Sequence, residues 1–140
     1  MLLSNAKPLF VTKDIKINAY DIDFMLIVNN IVYVRWFEDL RFLLLDEHFP
    51  VEPLLKDNIS PILSNTHVSY KQPLTIYDKP KGKAWLSSLG RIKWEVTVEI
   101  SIKDKIYCSG VQNGCFYNIK TMRPIKTPEK LRELYEKGMG

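Results

Sequence analysis

Asp21 and Asp23 stand two residues apart, followed at once by five apolar residues, Phe24 to Val28, and then by Asn29-Asn30. On a strand, two such aspartates share a face. Apolar followers strip water from a carboxylate and sharpen its basicity. Asn29 or Asn30 can cap a helix, whose first amides are free and whose dipole is positive at that end. A carboxylate beside such a helix start is a workable acyl-transfer arrangement, with a base or nucleophile on one side and an oxyanion-stabilising amide on the other. The residues alone leave a second reading open, in which the aspartates only cap a loop.

Other chemistry is thinly represented. There is no Gly-x-Ser-x-Gly, no Gly-x-Gly-x-x-Gly and no phosphate-binding Gly-rich loop ending in Lys-Ser or Lys-Thr. His48 and His67 lie 19 residues apart without metal-ligand spacing, so no metal site is expected. Cys108 and Cys115 are seven apart on one predicted strand, hence on opposite faces, and read as small packing residues. Five bases and no acid fall between Lys79 and Lys93, against seven acids and two arginines between Asp21 and Glu52. A basic patch of this size suits the phosphates of a small molecule or is simply a solvated strand face. No basic helix or basic-aromatic ribonucleoprotein motif accompanies it, so nucleic acid is not the expected partner.

The elements that must position these residues follow from periodicity. Phe10 to Tyr20 reads as a strand, with Ile15, Ile17 and Ala19 alternating with polar residues. Ile31 to about Glu47 contains no Gly or Pro and is apolar nearly all round, the mark of a helix buried on most sides. Pro50 and Pro53 end it, and 50–65 reads as a loop. Strands are predicted over Thr66–Tyr70, Lys81–Leu89, Ile92–Ile102 and Ile106–Ile119. Gly110 and Gly114 suggest bulges or sharp curvature in the last of these. Thr127 and Pro128 read as cap and first residue of a short C-terminal helix that Gly138 closes. The result is α+β: an antiparallel sheet of about five strands wrapped round one long, mostly buried helix, in a single domain over 1–140.

With 140 residues, 46% of them hydrophobic, the chain can build a core without staples. Two cysteines make no disulfide scaffold, no apolar run reaches transmembrane length, and the N-terminus lacks a secretory pattern. The expectation is therefore a cytoplasmic protein with no membrane partner.

The stretch from Tyr20 to Arg41, Tyr-Asp-Ile-Asp-Phe-Met-Leu-Ile-Val-Asn-Asn-Ile-Val-Tyr-Val-Arg-Trp-Phe-Glu-Asp-Leu-Arg, resembles the signature of hotdog-fold acyl-CoA thioesterases. More specifically it resembles the 4-hydroxybenzoyl-CoA thioesterase family, with its Asp-x-Asp-x-x-Gly turn, Asn-bearing helix start, Tyr three residues on, and aromatic, acidic and Arg helix. Tyr70-Lys-Gln-Pro-Leu74, Leu89-Gly-Arg91 and Thr121-x-Arg-Pro124 fit the later strands and turns, so the resemblance spans essentially the whole chain.

The resemblance implies hydrolysis of acyl-CoA, or of acyl-carrier-protein thioesters, to free acid and thiol. It puts Asp23 on the catalytic carboxylate, Asn30 where a helix-start amide polarises the carbonyl, and Tyr33 on the acyl pocket. Lys81, Lys83, Arg91 and Lys93 would meet coenzyme A phosphates. No cofactor is implied beyond coenzyme A as part of the substrate, and a homodimer or homotetramer with a site between subunits is expected. Leu26 stands where the family has Gly, and Ile27 where it often has His. Leu26 either accepts a left-handed backbone at about 1–2 kcal/mol or forces another loop path, and it would extend a hydrophobic acyl pocket. A hotdog dehydratase is disfavoured because neither His is near the aspartates. The other reading is a non-catalytic hotdog module that binds acyl thioesters or serves as an assembly subunit.

Overall fold

A computed structural model describes residues 5–140. Strand β1, Val11–Asp14, pairs antiparallel with β3, Lys81–Leu89. The alternation of Ile15, Ile17 and Ala19 predicted a longer first strand, and Ile17 does point inward. The ladder nevertheless stops, because the Ile15 amide donates to the Pro80 carbonyl and Pro80 has no N–H to return. The chain then closes a single 3-10 turn, Ala19–Asp21, instead of running on as a strand.

Helix α1, Asn30–His48, starts where the Asn29 side chain accepts from the Ile31 amide at 3.1 Å. Val32, Tyr33, Trp36, Phe37, Leu40 and Leu44 form its buried face at three- and four-residue spacing. Ile31 and Phe42 remain exposed, so the helix is covered by the sheet on one side and not all round, as its composition had suggested.

The predicted loop over 50–65 is a short helix α2, Glu52–Lys56, followed by the start of strand β2, Ile59–Tyr70. The prolines explain the misreading. Pro53 sits in the first turn of α2, where no N–H is required, and Pro61 sits on β2, an edge strand. Strands β3, β4 (Lys93–Ile102) and β5 (Lys105–Asn118) follow as predicted, and β6, Arg123–Ile125, adds to β5. The main path is β1-β3-β4-β5-β2, all antiparallel. Its inner face, including Ala84, Leu86, Trp94, Val96, Val98, Ile100, Cys108 and Phe116, packs on α1. One long helix held in a curved antiparallel sheet is the hotdog architecture.

Gly110 and Gly114 are not bulges. A Cβ at Gly110 would overlap the Phe37 ring and lie 2.9 Å from the His67 carbonyl, and one at Gly114 would lie 2.8 Å from the Trp94 ring and closer still to the Ile62 carbonyl. These glycines let α1 and the neighbouring strands approach; the irregularity is across the ladder, between Leu63 and Asn65 of β2.

A polar cluster pins the middle of α1 to the sheet. Arg41 donates to Glu38 at 2.6 and 2.7 Å and to the fully buried Gln112, whose amide donates to Glu38 and to Thr66 at 3.2 and 3.1 Å. Helix α3, Glu129–Gly138, completes the chain. Thr127 does not cap it; the hydroxyl donates to the Gly90 carbonyl at 3.0 Å, and Pro128 takes the cap position. No helix among the described residues is long and apolar enough to cross a membrane.

Candidate active site

Asp23 opens a tight hairpin. Ile22 and Val28 pair across it, the Asp23 amide donates to the Ile27 carbonyl at 2.9 Å, and the Leu26 amide donates to the Asp23 carbonyl at 3.0 Å. The Asp23 carboxylate accepts from the Met25 amide at 2.8 Å. A turn of this shape needs a left-handed residue before the second strand resumes. Leu26 supplies it with φ 66°, so the glycine path is kept at a steric cost of about 1–2 kcal/mol.

The two aspartates therefore do not share a strand face. Asp21 closes the 3-10 turn, is buried, and accepts from the Asn18 amide at 2.9 Å. Asp23 is half-buried on the hairpin. Nor do its apolar followers strip water from it, because Phe24, Met25 and Leu26 point outward at 93%, 65% and 73% exposure.

The hairpin is tied to the start of α1. The Val28 amide donates to the Leu74 carbonyl at 2.8 Å, the Asn29 amide donates to the Asp21 carbonyl at 2.9 Å, and Ile27 bridges Thr75. Asn30 is the first helical residue, and its amide has no acceptor among the described residues. That amide carries the positive end of the helix dipole. The Asn30 carbonyl accepts from the Tyr70 hydroxyl at 3.1 Å, which clamps the helix start to the end of β2.

Beside this junction is a cleft of about 280 Å³ lined by Ile27, Val28, Asn30, Tyr33 and the segment Tyr70 to Pro73. Tyr33 and Tyr70 meet edge to face at 5.5 Å. Burial, reinforced by nearby Cys108, pushes the Tyr33 hydroxyl up to about 12, against a hydrogen bond with the Leu74 backbone. Tyr33 is thus a neutral phenol at physiological pH, an apolar wall with a polar tip. Burial also raises Tyr70. The Cys108 thiol is pushed up to about 12 by burial, with Lys71 opposing, and is no nucleophile.

The structure brings Asn30 and Tyr33 into one cleft and hangs Asp23 on its adjoining hairpin. Leu26 lines a different cleft, with Ala19, Ile22, Thr75, Ile76 and Tyr77. The four basic residues do not form one patch. Lys81 and Lys83 begin β3, whereas Arg91 and Lys93 lie beyond its other end, about 20 to 27 Å away along the strand. Lys81 lies 3.7 Å from Asp14, and Lys83 pairs in register with Glu99. His48 bonds the Phe10 carbonyl at the far end of α1, and His67 is exposed on β2. Sequence reasoning missed Tyr70, Lys71 and Gln72 as cleft residues. They stand 40 residues beyond Asn30, and only the Tyr-Lys-Gln-Pro stretch hinted at them.

A sequence model of the thioesterase-like superfamily matches residues 17–134. No curated protein matches the chain. Among solved structures, a probable thioesterase from Escherichia coli, YbaW, superposes with a TM-score of 0.81 at 20% identity, covering 92% of this chain and 98% of that one. A DHNA-CoA thioesterase from Staphylococcus aureus gives 0.76 at 22%, covering 91% and 89%. A gentisyl-coenzyme A thioesterase gives 0.78 at 17%, covering 89% and 99%. At these identities the likeness shows a shared fold.

Proposed function

The chain belongs to the thioesterase-like superfamily, and from that premise we propose that it hydrolyses acyl-coenzyme A thioesters in the manner of the 4-hydroxybenzoyl-CoA thioesterase family. The observation that carries this reading is the junction of the Asp23 hairpin with the unengaged Asn30 amide, beside a cleft walled by Tyr33 and Tyr70. Two structural neighbours are described as thioesterases of coenzyme A esters, which supports the same substrate class.

In this mechanism the Asp23 carboxylate attacks the thioester carbonyl or takes a proton from the attacking water. Oxygen bonds to the carbonyl carbon and negative charge builds on the carbonyl oxygen. The Asn30 amide, preorganised at the helix start, donates to that oxygen. The carbon–sulfur bond then breaks and the thiolate takes up a proton as the thiol; where water attacked, the free acid leaves at once, and where Asp23 attacked, the acyl–Asp23 anhydride is hydrolysed by water to release the acid and restore the carboxylate. Tyr33 packs on the acyl group. Leu26 takes the positive φ that a glycine would take at this turn, which supports the same role for the Asp23 carboxylate despite the departure from the family pattern.

A panel of acyl-CoA esters, short-chain, long-chain and aromatic, assayed by thiol release tests the reading. Steady turnover of at least one is expected. Tight binding without thiol release from any would instead support the non-catalytic module.

The protein works in this reading as a homodimer or homotetramer. Phe24, Met25, Ile31 and Phe42 leave large apolar side chains in water on one small chain, and a second copy would cover them. Light scattering at micromolar concentration should give a dimer or larger; a monomer would contradict this assembly.

A further inference from the structure

We propose that the groove running from Leu26 of the Asp23 hairpin past Tyr77 to Lys79, separate from the Tyr33 cleft, holds the phosphorylated nucleotide arm of the thiol, with Lys16, Tyr77 and Lys79 as its contacts. This rests on the acyl-CoA reading above and relocates the phosphate site away from the divided set of Lys81, Lys83, Arg91 and Lys93.

Two cavities adjoin there, of about 490 and 620 Å³, and both are lined by Ile76 and Tyr77. The smaller begins at Leu26 and Ile22, which flank Asp23 on the hairpin. The larger continues past Ile17 to Lys16 and Lys79. Their volumes suit a small-molecule arm.

The chemistry changes along the groove in the order a coenzyme A thiol requires. Next to the hairpin the walls are apolar, fitting the alkyl and amide chain that carries the sulfur. Tyr77 comes next, 89% exposed, its ring free to take a stacked base. Lys16 and Lys79 line the far end. Neither Lys16 nor Lys79 has an ion-pair partner among the described residues.

The two carboxylates at the same end are already engaged. Asp78 accepts from the Thr75 amide and hydroxyl at 2.8 and 3.2 Å, and Asp14 lies 3.7 Å from Lys81. Lys81 offsets Asp14, so Lys16 and Lys79 outweigh the one remaining carboxylate, Asp78, and leave a net positive charge for phosphate at that end. The hairpin then separates the two arms of the substrate. The acyl group lies toward Tyr33, the thiol arm toward Tyr77, and the reacting carbonyl at Asp23.

The test compares an acyl-CoA with the same acyl group on N-acetylcysteamine, which has no nucleotide, in wild type, Tyr77→Ala and the Lys16→Ala/Lys79→Ala double variant. KM for the acyl-CoA should rise about tenfold in each variant with kcat unchanged, as for lost uniform binding. The N-acetylcysteamine ester should be unaffected. The lysine effect should fade as salt rises, since exposed charges are screened. Calorimetry of free coenzyme A should show the same weakening without any turnover. If KM for acyl-CoA and the affinity for free coenzyme A are unaltered in both variants, the groove is not the site. If coenzyme A binding weakens as expected but no thioester is hydrolysed by wild type, the groove stands and the hydrolase reading falls.

Discussion

Asp23→Asn lowers kcat/KM for the best acyl-CoA about 10²- to 10⁴-fold, the usual share of a positioned base or nucleophile, while circular dichroism and thermal midpoint stay near wild type. The separation of activity from stability follows from the hairpin. The Asp23 carboxylate is held by the Met25 amide at 2.8 Å, and an Asn side-chain oxygen can accept the same bond. The backbone bonds to Ile27 and Leu26 are untouched, and Leu26 keeps its left-handed φ. What the substitution removes is the charge and the basic oxygen that attacks the carbonyl or takes a proton from the attacking water. Asp21→Asn should be milder, because Asp21 is buried on the Asn18 amide and serves the turn that carries the hairpin. Near wild-type turnover by Asp23→Asn would remove Asp23 from the chemistry.

Gly114→Ala destabilises the fold by about 3 kcal/mol, the upper end of overpacking costs, and lowers the thermal midpoint by about 10 °C. An added methyl there would overlap the Ile62 carbonyl of β2 and lie 2.8 Å from the Trp94 ring. The carbonyl is main chain and cannot rotate away, so β2 must shift on β5. Trp94 is itself anchored, its indole N–H donating to the Cys115 carbonyl at 3.1 Å. Gly90→Ala is the comparison: its nearest contact would be the Lys93 carbonyl at an ordinary 3.6 Å, and it should cost far less. Equal thermal midpoints for the two variants would show that Gly114 is not a point of forced close approach.

The parts of the fold that could be read from the residues are those where local and global preferences agree. β4 alternates Trp94, Val96, Val98 and Ile100 inward, and these are buried. The Asn29 cap and the helix after it could be read for the same reason. β2 was cut short because Pro61 is a breaker signal everywhere except on an edge, and edge position is a property of the whole sheet. The hairpin at Asp23 was read as a strand end because its left-handed position carries Leu26, not the Gly or Asn that marks such turns. That one residue also reversed the reading of Phe24 and Met25, which face water when the chain turns there.

The site was legible in the same partial way. Asp21, Asp23 and Asn29-Asn30 lie close in sequence, so a carboxylate near a helix start could be inferred before any contact was seen. Tyr70 and Lys71 reach the cleft only through the register of β2 on β5, where Tyr70 stands opposite Cys108. The basic run from Lys79 to Lys93 looked like one patch because a hairpin is compact in sequence. Nine residues of β3 hold its two ends apart.

A crystal structure of Asp23→Asn with an intact acyl-CoA bound tests the central claim most directly, since the variant should bind the ester without consuming it. The account predicts the thioester carbonyl oxygen within hydrogen-bond distance of the Asn30 amide and its carbon facing the substituted side chain, with the acyl group against Tyr33. A thioester seated away from the start of α1, with the carbonyl out of reach of both residues, would contradict it.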